Sequence, residues 1–464
     1  MHPLIPAGLA LALGAPMVAL AQPNPEVESL RKEIEAMRSA YEQRLQALEQ
    51  RLQSSEAAAK AAQPPATGAA AAAPATAVAP APAATAAAPA AVPAATGGGA
   101  NAFNPAISLI LSGTYTRTSL DPSKYSLTGF AVPPGAEIGP GDRGFSLAES
   151  ELGFAASIDP WLSGAANISL HADNSVSVEE AYVQTTSLGH GLSLKAGRFF
   201  SGIGYLNSQH SHTWDFVDSP LAYQAFLGTQ FGDDGLQVHW LAPTDLFLEA
   251  GAEAGRGRGF PGSNTGQNGA GATAVYAHVG GDIGESNSWR AGLSMLDAKA
   301  TALDLITTDP LGNSTTGAYS GSTRVWLADA VWKWAPNGNA TRTNFKLQGE
   351  YLRSTRDGQF ADATGVGGPL NTTQSGWYLQ GVYQFMPRWR VGLRTERLDS
   401  GSPSALSESV YRPSKNSLML DFSASEFSRV RLQLARDLSR FGQPDNQLYV
   451  QYQMSLGAHG AHSY

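Results

Sequence analysis

From Ala106 onward, apolar and polar residues alternate with a period of two. Ile107, Leu109, Leu111 and Tyr115 interleave with Ser108, Ser112, Thr114 and Thr116. Leu194 and Ala196 interleave with Lys195 and Gly197, and Trp289, Ala291, Leu293 and Met295 with Arg290, Gly292 and Ser294. Near the end, Leu448, Val450, Tyr452 and Met454 alternate with Gln447, Gln451 and Gln453, interrupted only at Tyr449. A period of two marks strands with one apolar and one polar face. Sixteen such segments begin near Ala106, Gly144, Gly164, Val176, Leu192, Gly235, Leu246, Ala272, Ser288, Arg324, Asn344, Ser375, Trp389, Asn416, Ser428 and Asn446. Each runs about nine to eleven residues, the length a tilted strand needs to cross a bilayer.

The connections sort by parity. The odd ones include 118–144, 200–234, 256–271, 298–322, 354–375 and 398–416, all long. The even ones include Asp159-Pro160, Ala242-Pro243-Thr244, Glu285 to Asn287, Met386-Pro387-Arg388 and Ser423 to Phe427, all short. Two odd connections, near Asp173 and Ser439, are short as well. A soluble sandwich has no reason to sort its loops this way. An outer-membrane barrel does, with short periplasmic turns and long external loops. The pattern therefore predicts an all-β, transmembrane antiparallel barrel of about 16 strands over 104–464, with both ends on the periplasmic side. Trp161, Trp240, Trp289, Trp326, Trp334, Trp377 and Trp389 fall near segment ends, where interfacial aromatic girdles lie. The chain ends on Tyr464, as bacterial barrels end on an aromatic.

Ahead of the barrel the pattern changes twice. Leu9 to Leu20 is a short apolar core, and Ala19-Leu20-Ala21 is an A-x-A cleavage site, so 1–21 reads as a signal peptide. Val27, Leu30, Ile34, Met37, Tyr41, Leu45, Leu48 and Leu52 then recur at spacings of three and four. That is a coiled-coil seam over 22–56 with one stutter, and so narrow a stripe implies self-association, expected as a trimer. Residues 57–103 are rich in Ala and Pro and cannot form a core. They read as a periplasmic linker, with peptidoglycan as a candidate partner.

Composition narrows the class. Charged residues are 15% and Gly numbers 50, with no run of about 20 apolar residues after the first 21. Cysteine is absent, which removes disulfides and thiolate metal sites and suits an exported chain. A net charge of −8 argues against nucleic acid as a partner. Of 31 Lys plus Arg and 39 Asp plus Glu, six and seven precede residue 101. That leaves 25 against 32, or −7, in the barrel, a balance expected to favour cationic or neutral solutes.

The densest chemistry lies in 197–235, GRFFSGIGYLNSQHSHTWDFVDSPLAYQAFLGTQFGDDG. A long loop this rich in specific side chains is usually functional. Its apolar aromatics, Tyr205 and Trp214 among them, fit an external loop poorly and a loop folded into the lumen well. Asp215, Asp218, Asp233 and Asp234 are candidate constriction residues, with Arg198 opposite them. Glu149 and Glu151 share a strand face, as do Arg429 and Arg431, and like charges at that spacing belong in the lumen rather than against lipid. His210 and His212 point the same way in an extended chain, with Asp215 near, and are candidate Zn²⁺ ligands. No cofactor is otherwise expected. No Cys nucleophile, G-x-S-x-G, Walker loop or H-E-x-x-H is present, so no enzyme is expected.

Four segments carry a family resemblance: NPAISLILSG (104–113), FSLAESELGFAASIDP (145–160), GRFFSGIGYLNSQHSHTWDFVDSPL (197–221) and FGDDGLQVHWLAPTDLFLE (231–249). With the coiled coil and linker, the chain resembles the phosphate-selective porin (O/P) superfamily. Within it, the chain looks like the porin-like outer-membrane proteins often labelled zinc-regulated TonB-dependent outer membrane receptors. The resemblance covers 101–464 and implies a channel in outer-membrane lipid. Residues 22–100 offer no plug of the kind an active receptor needs, so passive diffusion of small hydrophilic solutes is expected, cations or metal ions included. The alternatives are an envelope-tethering or binding barrel without an open pore, and a metal receptor.

Overall fold

The computed structural model describes residues 105–457, except 264, 265, 267, 310 and 405–409. The signal-peptide, coiled-coil and linker readings lie outside the described residues, as do His459, His462 and Tyr464.

Seventeen strands are present among the described residues. In chain order they are β1 (Ala106–Thr118), β2 (Gly144–Leu147), β3 (Ser150–Ser157), β4 (Leu162–Leu170), β5 (Val176–Thr185), β6 (Leu192–Phe200), β7 (Gly232–Leu241), β8 (Phe247–Gly255) and β9 (Ala272–Ile283). They continue as β10 (Asn287–Thr308), β11 (Ser314–Trp334), β12 (Asn344–Asp362), β13 (Gly367–Met386), β14 (Trp389–Asp399), β15 (Ser414–Ser425), β16 (Ser428–Asp437) and β17 (Asp445–Gly457). Each pairs antiparallel with its chain neighbour, and β17 pairs with β1, so the sheet closes. β2 and β3 both pair with β1 and are one stave broken at Ala148 and Glu149. The barrel therefore has sixteen staves, as the period-two segments predict.

The two faces are chemically inverted relative to a soluble protein. Leu194, Leu236, Val238, Leu293, Leu393, Leu434 and Val450 are exposed on the outer face. Ser112, Thr114, Gln348, Gln380, Gln447 and Gln453 are buried on the inner face. An outer surface of this kind is built for hydrocarbon. Tyr449, which interrupts the alternation of β17, turns inward and donates from its hydroxyl to Gln447 Oε1 at 2.9 Å.

Two connections differ from the sequence expectation. The loops predicted over 298–322 and 354–375 are instead long hairpins. β10 pairs with β11 out to Thr308 and Ser314, and β12 with β13 out to Ala361 and Gly367. These stretches are polar on the outer face and so carry no lipid-facing signal. Backbone pairing needs none, and Thr-rich segments suit a pleated ribbon. Their inner face holds Leu305, Tyr319, Phe360 and Leu370 in one apolar cluster.

Candidate functional site

The segment 201–231 leaves β6 at Phe200 and re-enters the wall at β7, and between them it folds into the barrel. Ile203, Leu206, Trp214 and Phe216 are buried, as is every residue of the short helix α1 (Leu221–Leu227). Most of them pack on inward apolar residues of the wall, among them Leu296, Leu327, Leu352, Tyr378 and Leu398. The preceding long loop joins this core, with Phe130 edge-on to Phe226 at 5.8 Å between ring centres.

A chain crossing a barrel must still satisfy its backbone polar groups. Wall carboxylates receive the N–H groups. Glu180 accepts from Phe200 (3.0 Å), Glu253 from Gly202 (2.9 Å), Glu350 from Tyr205 and Leu206 (3.1 and 3.0 Å), and Glu396 from Leu221 (2.6 Å). Wall arginines donate to the carbonyls. Arg290 reaches Gly204 (3.1 Å), Arg394 reaches Asp218 (2.8 Å), Arg429 reaches His212 (2.9 Å) and Arg431 reaches Trp214 (2.7 Å). Arg429 and Arg431, two residues apart on β16, thus bind carbonyls two residues apart on the loop. Gly204 adopts φ +66, and a Cβ there would collide with Glu350 Oε2 and the Tyr223 hydroxyl, so only glycine permits this approach.

The loop's charged side chains reach opposite walls. Asp215 binds Lys346 (2.5 Å), Arg390 (3.1 Å) and Gln380 (3.1 Å) on β12 to β14. Asp218 binds Arg394 (2.8 Å), Lys415 (2.6 Å) and Gln433 (2.7 Å) on β14 to β16. Burial favours the neutral acid at both, but the attached cations outweigh it and hold both carboxyls well below the usual Asp range. His210 faces the other side. Its Nδ1 lies 3.2 Å from Glu151 and 3.1 Å from Glu179, and its Nε2 lies 2.9 Å from Glu180. Burial opposes the charged ring, yet these carboxylates hold its pKa well above the usual His range. His212 Nδ1 lies 3.1 Å from Glu151, and the two imidazoles stack at 5.7 Å.

A bulge makes this cluster possible. Asn167 pairs with Glu180 and Ile168 with Val178, which leaves Glu179 as an extra residue in β5. The insertion lets adjacent Glu179 and Glu180 both reach His210, which regular alternation would forbid. Glu149, at the break between β2 and β3, lies against Glu179 and accepts from Ser169 at 3.4 Å.

The sequence candidates therefore divide. Glu149, Glu151, His210, His212, Asp215 and Asp218 come together with the loop in the lumen. Trp214 is buried and donates to Gln209 O at 2.9 Å, and Tyr205 lies under the Arg290 guanidinium at 5.3 Å. Asp233, Asp234 and Arg198 belong elsewhere. Asp233 caps the start of 256–271, accepting from Gly257 (2.6 Å) and Arg258 (3.0 Å). Asp234 pairs with Arg198 at 2.6 and 3.2 Å across β6 and β7. Both share the strand parity of outward-facing Leu194 and Leu236, so Arg198 does not stand across the lumen from the acids. Asp215 does not join the His pair either; its partners are on the opposite wall.

Glu253, Glu350 and Glu396 were not evident from sequence as loop anchors. The available signal was a break in alternation where inner positions turn apolar, as in Val325-Trp326-Leu327 and Tyr351-Leu352. A water-filled lumen has no use for apolar inner residues, so they mark where a loop docks.

A closed sixteen-stave barrel with a hydrocarbon-suited exterior and a loop pinned across its interior defines a membrane-type β-barrel with an inward-folded loop. No protein-family model matches the chain. A protein of Aquifex aeolicus (strain VF5), described as "Uncharacterized protein", is 30% identical over 384 residues, covering 78% of this chain and 80% of that protein. The chain belongs to the same family as that protein. Among solved structures, it is similar to the anion-selective porin from Comamonas acidovorans (TM-score 0.49, 11% identity, 76% of this chain and 99% of that one). It is similar also to OmpT of Vibrio cholerae (0.48, 11%, 76% and 98%) and to the outer membrane channel DcaP of Acinetobacter baumannii (0.45, 11%, 77% and 99%). At such scores one barrel cannot stand for another, and the strand count and closure rest on the pairing within this chain.

Proposed function

We propose that this protein is a passive channel of the Gram-negative outer membrane for small hydrophilic solutes, with 201–231 as its constriction and a preference for cations. Self-association through 22–56, as a trimer, belongs to the same reading. One observation supports the cation preference above the rest. The basic wall is partly neutralised, because Asp215 and Asp218 from the loop and Glu396 and Asp421 from the wall pair with Lys346, Arg390, Arg394 and Lys415, while Arg429 and Arg431 are engaged by loop carbonyls. The facing wall crowds Glu149, Glu151, Glu179 and Glu180 around two histidines, with Lys195 beside Glu180 as the neighbouring amine. Net negative charge beside a low-dielectric constriction raises local cation concentration.

A planar bilayer under a KCl gradient tests this reading. Discrete conductance steps with a reversal potential of cation-selective sign are expected, and an anion-selective sign would contradict it. A folded but electrically silent barrel would favour the second reading, an envelope-tethering or binding barrel without an open pore. That reading draws on the burial of inner residues such as Lys415 and Gln433, each at 0% exposure.

A further inference from the structure

We infer that Glu151, Glu179 and His210 form a binding site for a first-row divalent metal ion that ties the loop to the β3 and β5 staves. The three ligand atoms lie within 4.8 Å of one another. His210 Nδ1 stands 3.2 Å from Glu151 Oε2 and 3.1 Å from Glu179 Oε2. A tetrahedral ion with bonds of about 2.0–2.1 Å requires ligand separations of roughly 3.3–3.4 Å, so both His210–carboxylate separations stand nearly at coordination spacing, with the two carboxylates within 4.8 Å of each other.

Three further features point to a metal rather than an ordinary ion pair. Glu151 is 6% exposed, and its Oε2 stands 3.2 Å from His210 Nδ1 and 3.1 Å from His212 Nδ1 at angles too poor for a hydrogen bond, so the imidazoles balance its charge without filling its lone pairs. An ion between them would fill one. The opposite nitrogen, His210 Nε2, lies 2.9 Å from Glu180 Oε2 and also 2.9 Å from Asn167 Nδ2, and in the metal-bound ring, with its proton donated to Glu180, it leaves Nδ1 unprotonated. That is the carboxylate–histidine–metal relay, in which an outer carboxylate fixes the tautomer and leaves Nδ1 for the ion. The donor set is imidazole plus carboxylate, with further negative charge from Glu180, which suits Zn²⁺, Co²⁺ or Mn²⁺. The ion would take the place of the Nδ1 proton, released to solvent. His212 Nδ1, 3.1 Å from the same Glu151 oxygen, offers a further donor.

A second histidine–carboxylate set is arranged differently. Glu249 gives one oxygen to His239 (2.6 Å) and the other to His278 (2.9 Å), both as hydrogen bonds, and the atoms left without one, His278 Nε2 and the Asp329 carboxylate, stand 3.7 Å apart.

The site stands whether or not the lumen conducts. The test uses full-length protein in detergent, stripped with chelator and titrated with Co²⁺ while visible absorption is recorded. Saturable d–d bands at one Co²⁺ per chain, displaced by Zn²⁺, are expected for wild type. Glu151→Gln and Glu179→Gln should each weaken binding about tenfold or more, while His239→Ala leaves it unchanged. Heat-modifiable gel migration verifies that each variant is folded, and the two Gln variants come from different staves, so failure of one to fold leaves the other decisive. Absence of saturable bands in wild type would overturn the inference. So would wild-type affinity in a folded Gln variant, which would place the ion elsewhere.

Discussion

Asp218 holds three wall residues at once, and two of them, Arg394 and Lys415, are buried cations with almost no other access to water. Removing Asp218 leaves Arg394 with Glu396 at 2.7 Å and Lys415 with Asp437 at 3.6 Å, so the buried cations are only partly compensated. Asp218→Asn should therefore cost less than the about 3–5 kcal/mol of an isolated buried pair, read as a lowered Tm in detergent. The pH dependence of that cost follows from the depressed carboxyl. A group whose folded pKa lies below its unfolded value of about 3.9 stabilises fully above that value and loses the contribution as pH falls through the folded pKa. The Tm gap between wild type and Asp218→Asn should thus stay constant from pH 8 to about pH 4 and narrow only below it. A gap that closes between pH 7 and pH 5 would mean that Asp218 does not carry its charge as described.

At the scale of elements, the proposed reading takes the orientation of the barrel from the parity of its connections, with the tips of the long hairpins outside and the short turns in the periplasm. The chain has no cysteine, so single cysteines report cleanly. Leu311→Cys at the β10–β11 tip, 85% exposed, should react with a membrane-impermeant maleimide on intact cells. Leu188→Cys, in the turn between β5 and β6, should react only after the outer membrane is opened. The reverse labelling would invert the barrel. Much of this element plan is legible in the sequence, because lipid imposes period two on every stave it touches. Legibility stops where lipid stops. The outer halves of β10 to β13 carry no apolar outer face, and so read as loops. The Glu179 bulge has no sequence mark, since an inserted residue shows only as a local slip of register. The loop's aromatics announce that it is buried, but not that Asp215 and Asp218 face one wall and His210 the other. That depends on pairings between residues more than a hundred positions apart, such as Asp215 with Lys346 and Asp218 with Lys415. The outward turn of Arg198 and Asp234 was open to period-two reasoning from Leu194 and Leu236.

At the scale of the whole molecule, the barrel is a frame carrying acidic and basic inner walls, and the loop is the strap between them. Its carboxylates neutralise one wall, its histidines engage the other, and its backbone is bonded to wall side chains around the interior. On the proposed reading, such a strap sets the width of the path through the lumen. Single-channel conductance of a variant with Ser208–Thr229 replaced by a short Gly-Ser link tests that claim most directly. The barrel staves are untouched by the change, and the variant should conduct several-fold more than wild type, with less discrimination between cations and anions. Equal conductance in the two proteins, once the variant is shown to be folded, would mean that the loop does not set the pore.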